Sequence, residues 1–352
     1  MAARRIGVGI VGIGFGRAVH LPALRLDPRF DVRAICASTL PRAERIASDC
    51  GVPQAYGDWR ELLAARGIEA VTVAVPPPLQ PAIALAALDR GIHVFCEKPL
   101  ADTAIAARQM AAKAVSSRLA NMVDFEFITS SAWRTAKQAA DARYVGGLRQ
   151  IHAHWHVETY VMQHRLDSWK TDAAGGGTLL SFASHSFHYL EWLAGPIRRL
   201  RAWLHRQPDE PGNADSMVQV QLQWANGAAG SLTASSNSPF GSGHRLEIYG
   251  EEGAIHLENS TRDYLDGFSV RCVNRQGEVP LTLADHGESP ALAAKDGRVR
   301  AVAGMVRRFA DSIEKGVPSS PDFHDGLRVQ YLLDAARESQ RSGNWLDVSE
   351  QG

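Results

Sequence analysis

A chain of 352 residues, with 45% hydrophobic and 22% charged residues, is long enough for two domains and has the composition of an ordinary globular protein. Its formal net charge of +0 gives no electrostatic reason to expect binding of nucleic acid or of an anionic membrane. The 4 cysteines lie far apart and form no Cys-x-x-Cys pair, which favours a reducing compartment and argues against a metal site.

The amino-terminal stretch MAARRIGVGIVGIGF has two arginines before an apolar run, as a secretion signal does. The run is short, glycines interrupt it, and no convincing small-residue cleavage site follows. No other stretch approaches the roughly 20 uninterrupted apolar residues of a membrane span. We therefore expect a cytoplasmic protein.

The segment RIGVGIVGIGFGRAVHLPAL predicts a strand, a glycine-rich turn and a helix, the context in which a dinucleotide-binding fingerprint has meaning. A literal Gly-x-Gly-x-x-Gly starts at Gly7, but its first glycines fall inside the predicted strand. We assign the turn to Gly12, Gly14 and Gly16, where missing side chains let backbone N–H groups approach a pyrophosphate. The usual third glycine is replaced by Arg17, whose charge suits a phosphate.

Strands and helices then alternate. The predicted strands are 32–37, 70–75, 92–96 and 121–125, and the predicted helices are 42–50 and 81–90. This alternation favours a doubly wound parallel sheet, in which ligands lie beyond the carboxyl ends of the strands. The segments PPPLQ and EKPL follow two of the strands and should face the same crevice as the glycine turn. Their prolines and charges are also compatible with ordinary helix starts and strand ends.

Four segments together resemble a known family: the glycine turn, VAVPPPLQ at 73–80, GIHVFCEKPLA at 91–101 and GGGTLLSFASHSFHYLEWLAGP at 175–196. They are similar to the glucose-fructose oxidoreductase, inositol dehydrogenase and rhizopine catabolism family, written Gfo/Idh/MocA. The likeness covers nearly the whole chain, and the EKP element is its most specific part.

The expected fold class is α/β plus α+β, with two domains. Residues 1–125 form a Rossmann domain with a doubly wound parallel sheet, and residues 126–352 form a domain for substrate binding and oligomerisation. The short alternating runs between 148 and 256 predict that the second domain is built on a large, mostly antiparallel open sheet, as in the family. We expect a surface loop at 287–298 and a helix at 302–314. If the open sheet exposes apolar positions, a homodimer or homotetramer would hide them.

The resemblance implies that the lysine of EKP reaches the substrate hydroxyl and the nicotinamide ribose, and that the peptide bond before its proline is often cis. X-Pro bonds tolerate the cis form at small cost, so this expectation is physically reasonable. Lys98 is the first catalytic candidate.

The second catalytic candidate is His185, which matches the catalytic histidine of the family. On one predicted helix Ser181, His185 and His188 have spacings of i, i+4 and i+7 and share a face. Relatives usually have an aspartate at the position of Ser181, and a serine cannot supply its negative charge. Either the two candidates act alone, with Glu126 as a possible substitute carboxylate, or activity has drifted or vanished.

Three histidines in HAHWHVET, at positions 152, 154 and 156, only superficially resemble a metal cluster, because no second ligand set accompanies them. We expect no metal. The segment HRLDSWKTD precedes the glycine run and either lines the substrate entrance or is an ordinary charged loop. The candidate substrate residues are Glu126, Arg165, Trp169, Lys170 and His188. The candidate cofactor residues are Gly12, Gly14, Phe15, Gly16, Arg17, Ser38, Thr39, Arg42, Pro76, Gln80, Glu97 and Lys98.

These observations predict an NAD(P)-dependent oxidoreductase that transfers a hydride between a nicotinamide cofactor and a secondary alcohol or ketone of a sugar, cyclitol or related polyol. Two alternatives stay open: a non-catalytic sensor of cofactor or sugar, and a redox-cycling, glycosidase-like enzyme of the same family. The serine in place of the aspartate favours the sensor.

The expected cofactor is NADP, with NAD possible. An NAD site normally has an acid at the end of the second strand, which binds the adenosine ribose and repels a 2′-phosphate. Here that position is Ser38, followed by Thr39 and, one helical turn on, Arg42. Small hydroxyls leave room for the phosphate and the arginine can pair with it, unless it is simply a solvated helix residue.

Overall fold

The computed structural model describes residues 5–283 and 296–348. The chain divides into two compact units, the first made of Met1–Glu126 with Ala294–Leu327 and the second of Phe127–Ala293 with Arg328–Gly352. The sequence patterns assigned all of residues 126–352 to the second domain and so did not predict that Ala294–Leu327 belongs to the first unit. Among the described residues, no helix is both long and apolar enough to cross a membrane.

A parallel sheet forms the centre of the first unit. Its strands are β1 Ile6–Val11, β2 Phe30–Cys36, β3 Gln54–Tyr56, β4 Ala70–Val73, β5 His93–Cys96 and β6 Asn121–Val123. Within the described residues the strand order is β3-β2-β1-β4-β5-β6, with every pairing parallel. The order reverses between β1 and β4, and ligands bind in the crevice at such a switch point. The predicted doubly wound sheet is confirmed.

Helices connect these strands and cover the sheets. In chain order the α-helices are α1 Leu21–Arg25, α2 Leu40–Cys50, α3 Trp59–Ala64, α4 Gln80–Asp89, α5 Ala104–Ser117, α6 Ser131–Asp141, α7 Tyr160–Gln163, α8 Ser184–Ala194, α9 Gly297–Lys315 and α10 Phe323–Ser342.

The sequence of α2 shows why such a helix begins and ends where it does. Pro41 lies in its first turn, and Gly51 ends it in the left-handed conformation, with φ of +62°. Ala43, Ile46 and Ala47 have helical spacing and are buried.

Helix α9 belongs to the first unit despite its distance in sequence. The Phe309 ring stacks on Phe30 and Phe95, with centroids 6.1 Å and 5.8 Å apart. Arg29 also forms an ion pair with Asp311 at 2.6 Å. The predicted helix at 302–314 lies within α9. The loop expected at 287–298 falls mostly outside the described residues, and its last part is the start of this helix.

The second unit is built on a large sheet. Its strands are β7 Leu148–His156, β8 Ile197–His205, β9 Met217–Trp224, β10 Ala229–Ser235, β11 Gly243–Gly250, β12 Gly253–Asn259, β13 Ser269–Asn274, β14 Gly277–Val279 and β15 Leu346–Asp347. Their order, for the part of the chain described, is β14-β13-β12-β11-β7-β10-β9-β8-β15. Only β7 and β10 pair in parallel among these strands, so the predicted, mostly antiparallel sheet is confirmed.

The two faces of this sheet differ in polarity. Along β9 the valines, Leu222 and Trp224 are buried, whereas Gln219 and Gln221 between them are exposed. Along β7 the histidines of the open face bond to hydroxyls of β10: the nitrogens of His154 and His156 lie 2.9 Å and 3.0 Å from Oγ1 of Thr233. These histidines therefore lie on a polar face of the sheet, because the alternation places the apolar residues on the covered face.

Candidate active site

The glycine turn follows β1 directly and leaves open backbone. Gly12 has φ of +103°, and a Cβ there would lie 2.1 Å from the carbonyl oxygen of Ala74, so only glycine fits. A Cβ on Gly16 would lie 2.9 Å from Cγ2 of Ile10. In contrast, a Cβ on Gly14 would meet nothing within 4 Å, so an incoming group can approach the backbone there. This geometry fits the pyrophosphate of a dinucleotide.

The residues after the turn form a π-helical segment, Gly16–His20, before α1. Arg17 is exposed and Phe15 is half-buried. The guanidinium of Arg298, at the start of α9, lies 5.3 Å from the centre of the Phe15 ring. The sequence patterns did not single out Arg298, because nothing local connects it to a turn nearly three hundred residues earlier.

The end of β2 carries the residues expected to select the cofactor. Ser38, Thr39 and Arg42 are all exposed there. Burial raises the pKa of Cys36, the last residue of β2, to about 11, and the negative charge of Asp58 adds to the effect. Asp58 therefore lies within electrostatic reach of this strand end. The sequence patterns did not indicate Asp58, because it follows β3 and the cofactor-selecting acid is expected directly after β2.

The segment after β4 holds Pro76 and Gln80. Pro76 is half-buried and precedes a single 3₁₀ turn, Pro77–Leu79. Gln80 is fully buried, and its Nε2 donates a hydrogen bond of 2.7 Å to the carbonyl oxygen of Pro99. Gln80 thus holds the EKP turn; direct contact with a cofactor stays a prediction.

The EKP turn continues β5 by one residue. The backbone N–H of Glu97 donates to the carbonyl oxygen of Val73 in β4 at 2.8 Å, and the Lys98–Pro99 peptide bond is cis, as expected. Lys98 is half-buried. The turn therefore lies at the carboxyl end of the sheet, as does the glycine turn.

A histidine that the sequence patterns did not single out lies under this turn. His20 is fully buried, with Nε2 3.0 Å from Oε1 of Glu97 and 3.4 Å from Oδ2 of Asp124. Asp124 follows β6 as Glu97 follows β5, and its N–H donates to the carbonyl oxygen of Cys96 at 2.9 Å. The predicted strand 121–125 extends two residues beyond β6, so the sequence patterns placed Asp124 inside a strand and not at its end.

Charge is concentrated in this cluster of His20, Glu97 and Asp124. Burial alone would lower the pKa of His20, but the hydrogen bonds to Asp124 and Glu97 and their negative charges raise it to about 9. Burial raises the pKa of Asp124 to about 7, against the hydrogen bond from His20. Among the described residues, these three form a group that could also hold a metal, because their ligand atoms lie within 4.8 Å of one another. We interpret it as an ion cluster, because His20 contacts Glu97 at direct hydrogen-bond distance.

Glu126 extends the cluster. Burial raises its pKa well above the ordinary range, and the charges of Asp124 and Glu97 add to this; the positive charge of Lys98 and a backbone hydrogen bond oppose it. As a substitute for the missing aspartate, Glu126 would therefore favour its protonated form, which donates a hydrogen bond but carries no negative charge.

The second unit carries the other catalytic candidate. Leu179–Ala183 forms a π-helical turn and α8 begins at Ser184, so Ser181 lies in the π-helical turn whereas His185 and His188 lie in the α-helix that follows it. Oδ2 of Asp215 accepts a hydrogen bond of 2.7 Å from the N–H of Leu179 and anchors the start of this turn.

Aromatic rings surround His185, which is buried. Its ring lies edge-on to Phe127 at 5.2 Å between centroids, and 6.1 Å from Trp155. Trp155 in turn stacks on His244 at 4.4 Å. Burial lowers the pKa of both His188 and His244 to about 3.

The charged segment before the glycine run lies on the surface. Arg165, Trp169 and Lys170 are all exposed, with the Lys170 ammonium 5.8 Å from the centre of the Trp169 ring. Arg165 has φ of +50° and pairs with Asp209. A role of these residues at a substrate entrance stays a prediction.

Comparison with known proteins agrees with this architecture. Residues 6–125 match the model of the oxidoreductase family with an NAD-binding Rossmann fold, and residues 133–256 match the GFO/IDH/MocA C-terminal domain. The chain belongs to the Gfo/Idh/MocA family. The expected family, fold class and kind of enzyme, a nicotinamide-dependent oxidoreductase, are confirmed.

Two curated relatives extend over almost the full length. An uncharacterized oxidoreductase of Synechocystis is 31% identical over 97% of this chain and 95% of its own. Levoglucosan dehydrogenase of Pseudarthrobacter phenanthrenivorans is 28% identical, with 98% of each chain covered. A solved structure of levoglucosan dehydrogenase in complex with NADH and levoglucosan is 25% identical, with a TM-score of 0.88 over 99% of this chain and 100% of that one.

Proposed function

We propose that the protein is an NADP-dependent dehydrogenase or reductase acting on a secondary alcohol or ketone of a sugar, cyclitol or related polyol. The observation that carries this proposal is the placement of Lys98 at the carboxyl end of β5, in the sheet that also bears the open glycine turn. The names of the relatives support a sugar, since levoglucosan dehydrogenase has been solved with levoglucosan and with L-sorbose.

When bound, the nicotinamide supplies a two-electron hydride acceptor for the hydrogen on the carbinol carbon. The residues of the chain move the remaining proton: His185 takes it from the hydroxyl, assisted by Lys98, and both return it in the reverse reaction. In this proposal residues 1–125 bind the cofactor, and residues 126–352 bind the substrate.

The test of Lys98 is its replacement by methionine, which is unbranched and only one atom shorter and removes the charge. We expect turnover to fall by about 10²- to 10⁴-fold, the usual worth of acid–base catalysis, while cofactor binding stays measurable by fluorescence titration. Lys113→Met is the matched control, because Lys113 lies on α5 in the same unit, paired with Asp89. Unchanged turnover in Lys98→Met would rule out the assignment.

Incubation with oxidised cofactor and a panel of sugars and polyols, including levoglucosan and L-sorbose, tests the reaction itself. Net formation of reduced cofactor identifies a dehydrogenase. Release of a cleaved product without net reduction identifies the redox-cycling enzyme instead, and saturable binding without either identifies a sensor. The absence of an acid at Ser181 is the feature that favours the sensor.

The preference for NADP rests on the exposed Ser38, Thr39 and Arg42 after β2. We expect Arg42→Ala to weaken NADPH binding by about tenfold at low salt, because a charge-assisted contact to the 2′-phosphate is lost, and to leave NADH binding unchanged. Arg45→Ala, exposed on the same helix, is the control. Equal or tighter binding of NADH by the wild type would refute the preference and shift attention to Asp58.

A further inference from the structure

We infer that His20 is a positioning residue for Lys98, which it holds in place through the side chain of Glu97. The functional part of this inference rests on the proposed role of Lys98 in proton transfer. Nothing in the family match assigns a role to His20.

The environment of His20 fixes its orientation closely. The imidazole is fully buried and stacks on the Phe95 ring, with centroids 5.2 Å apart and planes at 21°. The Phe15 ring meets it edge-on at 5.5 Å. Between these rings Nε2 points to the carboxyl groups of Glu97 and Asp124, at 3.0 Å and 3.4 Å. A side chain packed in this way has few alternative rotamers.

Charge makes the contact strong. The groups facing the imidazole are the carboxyl of Glu97 after β5 and that of Asp124 after β6, with Lys98 and Glu126 adjoining them, and the other neighbours are the aromatic rings. The raised pKa of His20 means that it is a cation at neutral pH, compensated by the carboxyl groups. Loss of a cation from a buried cluster leaves uncompensated negative charge, which the structure must relieve by rearrangement or by taking up a proton.

The position of Glu97 sets that of Lys98. The backbone N–H of Glu97 still bonds to β4, and the chain bends at Lys98 directly after it. Because Lys98 is bonded to Glu97, a Glu97 side chain held by His20 restricts the backbone from which Lys98 projects. The bond from Gln80 to the carbonyl oxygen of Pro99 fixes the far end of the turn, so the lysine is held between two anchors.

The experiment observes Lys98 directly and needs no substrate. The chain has lysine at only six positions, 98, 113, 137, 170, 295 and 315. Reductive methylation with ¹³C-formaldehyde gives each lysine a dimethylammonium signal in a ¹³C–¹H spectrum, and Lys98→Arg assigns the signal of interest. The spectra are recorded between pH 6 and 11 for the wild type, His20→Gln and His20→Leu. His20→Gln keeps an N–H near the position of Nε2 but loses the charge, and His20→Leu loses both.

In the wild type we expect the Lys98 signal to show an inflection where His20 loses its proton, near pH 9, besides its own titration. We expect this inflection to be absent from the spectra of His20→Gln and His20→Leu. In His20→Leu we also expect the Lys98 signal to move or broaden at pH 7. Leu62→Ala controls for simple destabilisation, since Leu62 is buried against Gly9, a residue of β1. The inference would be overturned if the Lys98 titration curve of His20→Gln superimposed on that of the wild type. It would also be overturned if Leu62→Ala changed the Lys98 signal as much as the His20 variants do. If His20→Leu fails to fold, His20→Gln alone decides.

Kinetics provide the second readout once a substrate is found. We expect His20→Leu to lower kcat by about 10- to 100-fold, with KM and cofactor affinity changed less than about threefold and His20→Gln partly restoring kcat. A rise in KM at constant kcat would contradict a positioning role. If the Lys98 signal responds to His20 but Lys98→Met remains active, the proposed function fails while the placement of Lys98 by His20 stands.

Discussion

Histidine shows at the scale of single residues how strongly neighbours decide chemistry. His20, His188 and His244 are all buried, yet the pKa of His20 is raised to about 9 whereas burial lowers the other two to about 3. Burial lowers the pKa in every case, since it disfavours the charged form. At His20, unlike the other two, the carboxyl groups of Glu97 and Asp124 outweigh burial, so the pKa rises.

The raised pKa of His20 predicts a stability difference that depends on pH. Below about pH 6.5 the histidine is protonated in both folded and unfolded chains, so its favourable contacts contribute in full; this contribution is lost as the pH rises through about 9. We expect the free energy of unfolding of the wild type, relative to His20→Gln, to fall by about 3 kcal/mol over this range. Urea denaturation at several pH values measures it, and a difference independent of pH would contradict it.

His244 predicts the opposite dependence. Its pKa is lowered to about 3, so the contribution of its neutral form is present above about pH 6.5 and is lost as the pH falls. Between pH 7 and 4 we expect His244→Phe to gain about 3 kcal/mol in unfolding free energy relative to the wild type. Tyr189→Phe removes only the hydroxyl 2.9 Å from Nε2 of His244 and is the control. Parallel curves for His244→Phe and the wild type would show that His244 is not held neutral.

At the scale of elements, the glycine turn separates what folding needs from what binding needs. Gly12 is required by the chain itself, because a side chain would collide with the backbone of Ala74. Gly14 has no such conflict and is exposed. A glycine that the fold does not need is explained best by a ligand that approaches its backbone.

Two substitutions test this separation. We expect Gly12→Ala to lower the free energy of unfolding by about 2 kcal/mol or more, through strain at positive φ and the clash with Ala74. Gly14→Ala should keep stability within about 0.5 kcal/mol of the wild type while weakening dinucleotide affinity at least about tenfold. Denaturation and fluorescence titration measure both. Normal affinity in Gly14→Ala would place the pyrophosphate elsewhere.

At the scale of the whole molecule, we propose a homodimer or homotetramer formed through the open face of the second sheet. The original reason, a need to hide apolar positions, does not apply to a surface that carries glutamines, histidines and hydroxyls. Interfaces of ordinary size tolerate such polarity when hydrogen bonds are satisfied, as the contacts of Thr233 are.

The proposed assembly predicts the effect of one charge. Thr233 lies on β10, near the centre of the sheet, so a lysine there would be buried without a partner in an interface across this face. We expect light scattering at micromolar concentration to give an oligomer for the wild type and a monomer for Thr233→Lys. Ser48→Lys, exposed on α2, should remain oligomeric. A monomeric wild type would end the proposal.

The sequence by itself determined the family, the parallel sheet and its strand-end segments. Hydrophobic runs of strand length have few alternatives, and glycine turns with EKP are local patterns whose residues are consecutive. Lys98 and the glycine turn were identified for this reason. The short strand β3 and helix α3 gave too little periodicity to be predicted.

The tertiary structure alone decided which distant residues meet. His20 and Asp124 join Glu97 only because parallel strands bring their carboxyl ends together, and Arg298 reaches Phe15 only because α9 returns to the first unit. The polarity of the open face likewise depends on which way each alternating strand faces, and a shift of one residue would reverse it. Such contacts depend on the topology of the chain, whereas local sequence patterns describe only residues that are close together in the sequence.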